Sequence, residues 1–346
     1  MAAEKSRADR DLAAPNIARL LAALRHEKAD RVPNFEILID NRSLRHILGL
    51  PPKGVRITLW SVESEEAVRA ALAVGQDAVP CSMTWTLPQN GCVRSHQDAE
   101  RHLRPPDPCE ARAKLQRYLG ATAGTKVGVC ARLSAPMTLT YMALGPAPIE
   151  SFMVLLHDQP DLVERVMDAF LDYHLRLIEA IADLPYHFYY IGDDLSSSTG
   201  PLISPALLER LWAPRAQRLV RAALATDRPV IFHCCGTLAP ILPYLLKWGV
   251  QAVHPIQPIA NDIFAIRARC GERLTLVGNM DVDSVLSRGT PEFVRADVRE
   301  HIERLAGGGS YVVCSSHSII DSIPPENYLT MVRAAREFGS HSRGVP

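Results

Sequence analysis

Short apolar runs, each stopped by a polar or glycine-bearing step and each followed by a stretch of helical periodicity, recur eight times along this chain. They fall at residues 32–38, 77–83, 126–133, 187–191, 228–233, 252–256, 274–277 and 310–314. Runs of roughly four to eight residues are strand length, and the segments between them place apolar residues at helical spacing, as at 162, 163, 166, 167, 170 and 171. Strand and helix in strict alternation predict a parallel sheet, and eight repeats predict a single closed (β/α)8 TIM barrel. The apolar-periodic stretch at 17–25 adds an N-terminal helical extension. One domain spanning 1–346 is expected, with residues 1–15 flexible.

A barrel of this kind builds its chemistry at the C-terminal ends of the strands. Glu36, Asp193, Asp194, His233, Cys235, Asn279, Asp281 and His317 all fall at or just beyond such ends. The strongest signal is the fifth run, which ends His233-Cys234-Cys235-Gly236. Alternate residues of a strand share a face, so His233 and Cys235 point together, and an imidazole beside a thiolate is half of a zinc site. Two ordinary buried residues would read the same way on this tripeptide alone. Glu36 interrupts an apolar run, where a carboxylate is either structurally bonded or functional. Asp193 and Asp194 follow an aromatic strand. They could bond the amides of the following loop, hold a substrate group, orient a metal-bound histidine or act as a proton donor. Asn279 and Asp281 are weaker candidates for polar contacts to a cofactor or substrate. The segment 84–124, with its Gln89-Asn90-Gly91 turn, is long enough to be a lid or specificity element.

Charge narrows the partners. Lys plus Arg and Asp plus Glu are equal at 38 each, so nothing in the net charge draws the chain to nucleic acid or to an anionic membrane. No run approaches the roughly 18 apolar residues of a membrane span, and a cytoplasmic location is the expectation. Eight cysteines without framework spacing read as reduced thiols.

Four stretches taken together resemble the uroporphyrinogen decarboxylase superfamily. They are the opening Arg19 to Pro33 segment, Gly192-Asp193-Asp194 with the following Gly200-Pro201-Leu202-Ile203-Ser204-Pro205, the His233-Cys234-Cys235-Gly236 step, and Ser316-His317-Ser318-Ile319 with Pro324-Pro325-Glu326-Asn327. The likeness is closer to the zinc-dependent, corrinoid-linked methyltransferases than to the decarboxylases. Where the decarboxylases carry an arginine-rich, propionate-binding segment after the first strand, this chain has the apolar and acidic Phe35-Glu36-Ile37-Leu38-Ile39-Asp40. The resemblance implies zinc held by His233, Cys235 and a third ligand, which is a cysteine in the methyltransferases. His317 occupies that position here, with Cys314 as the alternative and Glu36 as an added oxygen ligand. It further implies a corrinoid on a partner protein and a small methyl donor or acceptor, such as a methyl ether, a thiol or a tetrahydrofolate-like carrier. A homodimer is compatible with it. The competing expectations are a metal-free decarboxylase using Asp193 or Asp194 with His317, and a barrel that binds a tetrapyrrole or a corrinoid protein without catalysis.

Overall fold

The computed structural model describes residues 14–85, 87 and 89–340, so most of the 1–15 stretch lies outside the described residues. Its centre is one parallel sheet of seven strands in chain order, β1 (Ala78–Ser82), β2 (Gly128–Ser134), β3 (Phe188–Gly192), β4 (Val230–His233), β5 (Ala252–His254), β6 (Thr275–Val277) and β7 (Tyr311–Val312). Each strand is joined to the next by a connection that contains helix, an arrangement consistent with a TIM barrel. The strands are buried almost throughout, which is why they read in the sequence as unbroken apolar runs.

Seven of the eight expected strands are present, and the run at 32–38 is the exception. It meets the sheet through an isolated parallel bridge, Asn34 to Val313. The Val313 amide donates to Pro33 O at 3.0 Å and the Phe35 amide to Val313 O at 3.2 Å, while the Asp77 amide donates to Asn34 O at 3.2 Å. This irregular stretch therefore bonds to both edges of the sheet. Two features stop it from becoming a strand. Pro33 has no amide to give, and the next ladder donor, the Ser315 amide, goes at 2.7 Å to the Glu36 side chain instead of a main-chain carbonyl.

The helix Ile17–Leu24 lies against the N-terminal ends of the strands. Asn16 caps it by accepting from the Ala18 amide. Leu20, Ala23 and Leu24 pack in one cluster with Phe35, Ala78, Cys130, Phe188, Ile231 and Ala252, residues of the sheet's inner face. The Thr275 hydroxyl at the start of β6 donates to Ala23 O at 2.6 Å, which fixes the helix to the sheet. Buried Arg31 and Asp77 pair at 3.1 Å beside it, and Asp77 also accepts from the Asn16 and Asn34 amides.

The helices outside the sheet follow the sequence pattern. The helix Asn41–Leu48 closes on left-handed Gly49, and the helix Ser64–Val74 has Glu63 at its cap position. A further helix spans Leu242–Trp248. Ser204 caps the turn opened by Pro205. No helix among the described residues is long and apolar enough to cross a membrane.

Candidate metal centre

Register places the key side chains. In the parallel sheet Gly192 of β3 pairs with His233 of β4, which pairs with His254 of β5. Residues of one alternation then line up inside: Arg132 and Ser134 on β2, Tyr190 and Gly192 on β3, His233 on β4. All of these line a cavity of about 140 Å³ together with Trp60, Asp194 and His317.

Beside this cavity, which His233 and His317 line, three potential ligand atoms, from His233, Cys235 and His317, lie within 4.8 Å of one another. His233 Nε2 is 3.4 Å from Cys235 Sγ and 3.2 Å from Asp194 Oδ1. The opposite nitrogen, Nδ1, is 2.5 Å from the Tyr190 hydroxyl and 2.9 Å from His254 Nδ1, and Tyr190 also reaches His254 Nδ1 at 2.8 Å. Tyr190 and His254 thereby hold the His233 ring with Nε2 turned to the thiol. Burial, followed by the nearby His233 and His317 rings, keeps the His254 pKa well below its ordinary value. His317 is lowered by burial and by His233.

Gly236 makes the turn out of this motif. Its φ is +75°, and a Cβ there would meet the carbonyl oxygens of Ser197 and Ser196 at 2.3 and 2.5 Å. Only glycine lets the Cys235 loop approach that backbone.

The two adjacent acids have separate work. Asp193 is fully buried, accepts from the Thr138 amide at 2.8 Å and the Trp212 indole at 2.9 Å, and lines no cavity near the cluster. Burial pushes its carboxyl up to about 7 against those two bonds. Asp194 faces the cavity and accepts from the Cys235 amide at 3.1 Å. Burial works to raise its pKa, but His233 and the Cys235 amide outweigh it and hold the carboxyl well below the usual range. The Cys235 thiol is pushed up by burial and by Asp194. A cation at the cluster would reverse that trend.

The remaining candidates from the sequence lie elsewhere. Glu36 is fully buried, accepts from the Ser315 amide and from its hydroxyl at 2.8 Å, and has the Cys314 thiol at 3.5 Å. Neither Glu36 nor Cys314 belongs to the His233, Cys235 and His317 group. Asn279 donates to Ile256 O and sits 3.0 Å from His301 Nε2, while Asp281 accepts from the Asp283 amide and the Ser284 hydroxyl. Their bonds are those of turns and helix packing. Tyr190, His254 and Arg132 were not singled out by the sequence pattern, although each is a polar residue inside an apolar run.

The donor set suits zinc. Two imidazoles and a thiol leave a tetrahedral ion one open position, and the His233 ring is oriented from behind as metal-bound histidines are. Fold and site thus define a parallel α/β enzyme scaffold with a candidate metal centre at the C-terminal ends of its strands. The chain belongs to the uroporphyrinogen decarboxylase (URO-D) family, whose model matches residues 87–338. A methylated-thiol–coenzyme M methyltransferase of Methanosarcina mazei is 24% identical over 282 residues, covering 79% of this chain and 72% of that protein. A uroporphyrinogen decarboxylase of Methylococcus capsulatus is 28% identical over 256 residues, covering 71% and 70%. Among solved structures, a methyltransferase from Methanosarcina mazei superposes with a TM-score of 0.69 at 20% identity, over 94% of this chain and 99% of its own, a likeness of fold.

Proposed function

We propose that this protein is a zinc-dependent methyltransferase that moves a methyl group between a corrinoid, carried on a partner protein, and a small methyl ether, thiol or tetrahydrofolate-like carrier. The observation that carries the reading is the convergence of His233, Cys235 and His317 within 4.8 Å of one another beside a cavity lined by both histidines. A relative named as a methyltransferase supports it. His233, Cys235 and His317 would hold the ion. Bound there, zinc lowers the pKa of a substrate thiol or oxygen and makes it a competent nucleophile or leaving group at neutral pH.

The chain's own residues prepare that site. Tyr190 and His254 fix the His233 ring, and Gly236 gives Cys235 its approach. Asp194, held ionised beside the cluster, supplies a negative charge that would balance a bound cation. Trp60, anchored by its indole to Ile37 O at 2.7 Å, walls the cavity beside Arg132.

The test is zinc stoichiometry by elemental analysis on the native protein and on His233→Ala, Cys235→Ala and His317→Ala, with methyl transfer from free methylcobalamin to a thiol followed spectrophotometrically. One zinc per chain, lost with each substitution together with transfer, is expected. A native protein that takes up no zinc under reducing conditions would overturn the reading and leave the metal-free decarboxylase, with Asp194 and His317 as its acid and base.

A further inference from the structure

Beside the metal cluster a second, larger cavity of about 390 Å³ shares Trp60, Arg132, Ser134 and Thr138 with the first. Arg132 therefore stands at the joint between the two. Its guanidinium lies 4.3 Å over the Trp60 ring, and Nη1 donates to the hydroxyls of Ser82 at 3.2 Å and Thr84 at 2.9 Å. Its Nε is buried and has no hydrogen-bond partner. Among the described residues no carboxylate is within ion-pair distance of it, whereas Arg19, Arg31, Arg112 and Arg215 all have one. A buried guanidinium stays charged, and with Asp194 in the smaller cavity interacting only from beyond ion-pair distance it is costly to keep.

The walls of the larger cavity explain what such a cation is for. Trp85, Phe170, Leu139 and Met142 supply apolar and aromatic surface, and Lys114, whose ammonium donates to Ser82 O at 2.9 Å, supplies a second positive charge. The lining contains no aspartate or glutamate. A neutral substrate would leave both cations unanswered, and a cationic one would be repelled.

The geometry points to Arg132 as the specificity-determining residue that binds the carboxylate or sulfonate of a small organic acid with a flat apolar body. The body lies against Trp85 and Phe170 in the larger cavity, with the acid group at the joint beside the smaller cavity that His233 and His317 line. The inference stands apart from the proposed methyl-transfer reading. The anion socket is a property of Arg132, Lys114 and the cavity walls. A carboxylate in the cavity answers the Arg132 charge through a charge-assisted hydrogen bond to a terminal guanidinium nitrogen. Aryl acids and short thiol acids share this chemistry, and the aromatic walls favour the aryl acid.

Binding can be read without turnover, from quenching of Trp60 and Trp85 fluorescence or by calorimetry. The probes are 4-methoxybenzoate, its neutral counterpart 4-methoxybenzyl alcohol, and 3-mercaptopropionate as the thiol acid. They are titrated into the native protein, Arg132→Gln, Arg132→Lys and Lys114→Met, with zinc content and melting temperature measured on the same samples. The expected result is binding of 4-methoxybenzoate ahead of the alcohol and ahead of 3-mercaptopropionate. Arg132→Gln should weaken the acid at least about tenfold and the alcohol hardly at all. Arg132→Lys should retain part of the preference for the acid, and zinc content should stay unchanged.

Acid and alcohol binding alike, or acid binding that survives Arg132→Gln, would overturn the proposal. So would loss of folding in Arg132→Gln with no change of preference in Arg132→Lys, which would make Arg132 a structural residue. Preference for 3-mercaptopropionate would overturn the assignment to aryl acids. Zinc-free protein that still prefers the acid would sink the methyltransferase reading and leave the socket standing.

Discussion

His233 and His254 face each other Nδ1 to Nδ1 at 2.9 Å across neighbouring strands, with the Tyr190 hydroxyl bonded to both. His254 and Tyr190 are therefore positioning residues for His233.

Tyr190→Phe and His254→Leu are expected to weaken zinc binding about 10- to 100-fold while leaving the three ligands in place. Competition against a chromophoric chelator measures this directly. Zinc affinity equal to the native protein's in both variants would show that the ring holds its orientation without them.

Asp193 and Asp194 are adjacent in sequence, and their substitutions should have opposite consequences. Asp193→Ala strips the partner from the Thr138 amide and the Trp212 indole, both in the interior, at a cost of roughly 2–5 kcal/mol. Asp194→Ala removes the acceptor of the Cys235 amide and should cost less stability than Asp193→Ala while abolishing most methyl transfer. Urea denaturation and the transfer assay separate the two, and equal losses of stability would refute the division.

Glu36 gives the fold a pH dependence. Burial raises its carboxyl to about 7, above its ordinary 4.5, so folding favours the neutral acid. Its contribution is complete below the ordinary value and is lost as pH rises through about 7. Glu36→Gln keeps the shape and removes the charge. The variant should gain on the native protein by as much as roughly 3 kcal/mol at pH 8 and converge with it near pH 5. Parallel stability curves from pH 5 to 8 would rule this out.

His174 works in the reverse sense. It is fully buried, its Nδ1–H donates to Phe170 O at 2.7 Å, and burial lowers its pKa from 6.5 to about 4. The neutral ring is favoured, so its contribution is present above about 6.5 and is lost as pH falls toward 4. Native protein minus His174→Leu should decline by roughly 2 kcal/mol between pH 7 and pH 5. A flat difference across that interval would contradict it.

Seven strands were legible because fully buried parallel strands need apolar side chains on both faces, and that leaves unbroken runs. The run at 32–38 has the same composition, but Pro33 and the Glu36 side chain divert its ladder bonds, a detail no hydropathy pattern carries. His233 and Cys235 were legible from their spacing at a strand end, whereas His317, also at a strand end, became a metal candidate only through the resemblance. Asn279 and Asp281 satisfied the same positional rule yet bond to Ile256, His301 and neighbouring turn residues, since a strand end fixes where a side chain begins and not where it points. Arg132, Tyr190 and His254 were overlooked for the converse reason. They sit within strands, among residues whose neighbours are core.

The helix Ile17–Leu24 acts as a stopper. With Leu20, Ala23 and Leu24 packed against the inner face at the strands' N-terminal ends, that end is filled, and the cavities sit toward the other. A vessel filled at one end imposes a queue. A small acid that must reach the floor has to enter before anything bulky covers the rim, and it cannot leave until that cover lifts. Order of addition and release would then be written into the plumbing of the scaffold, ahead of any preference in the chemistry.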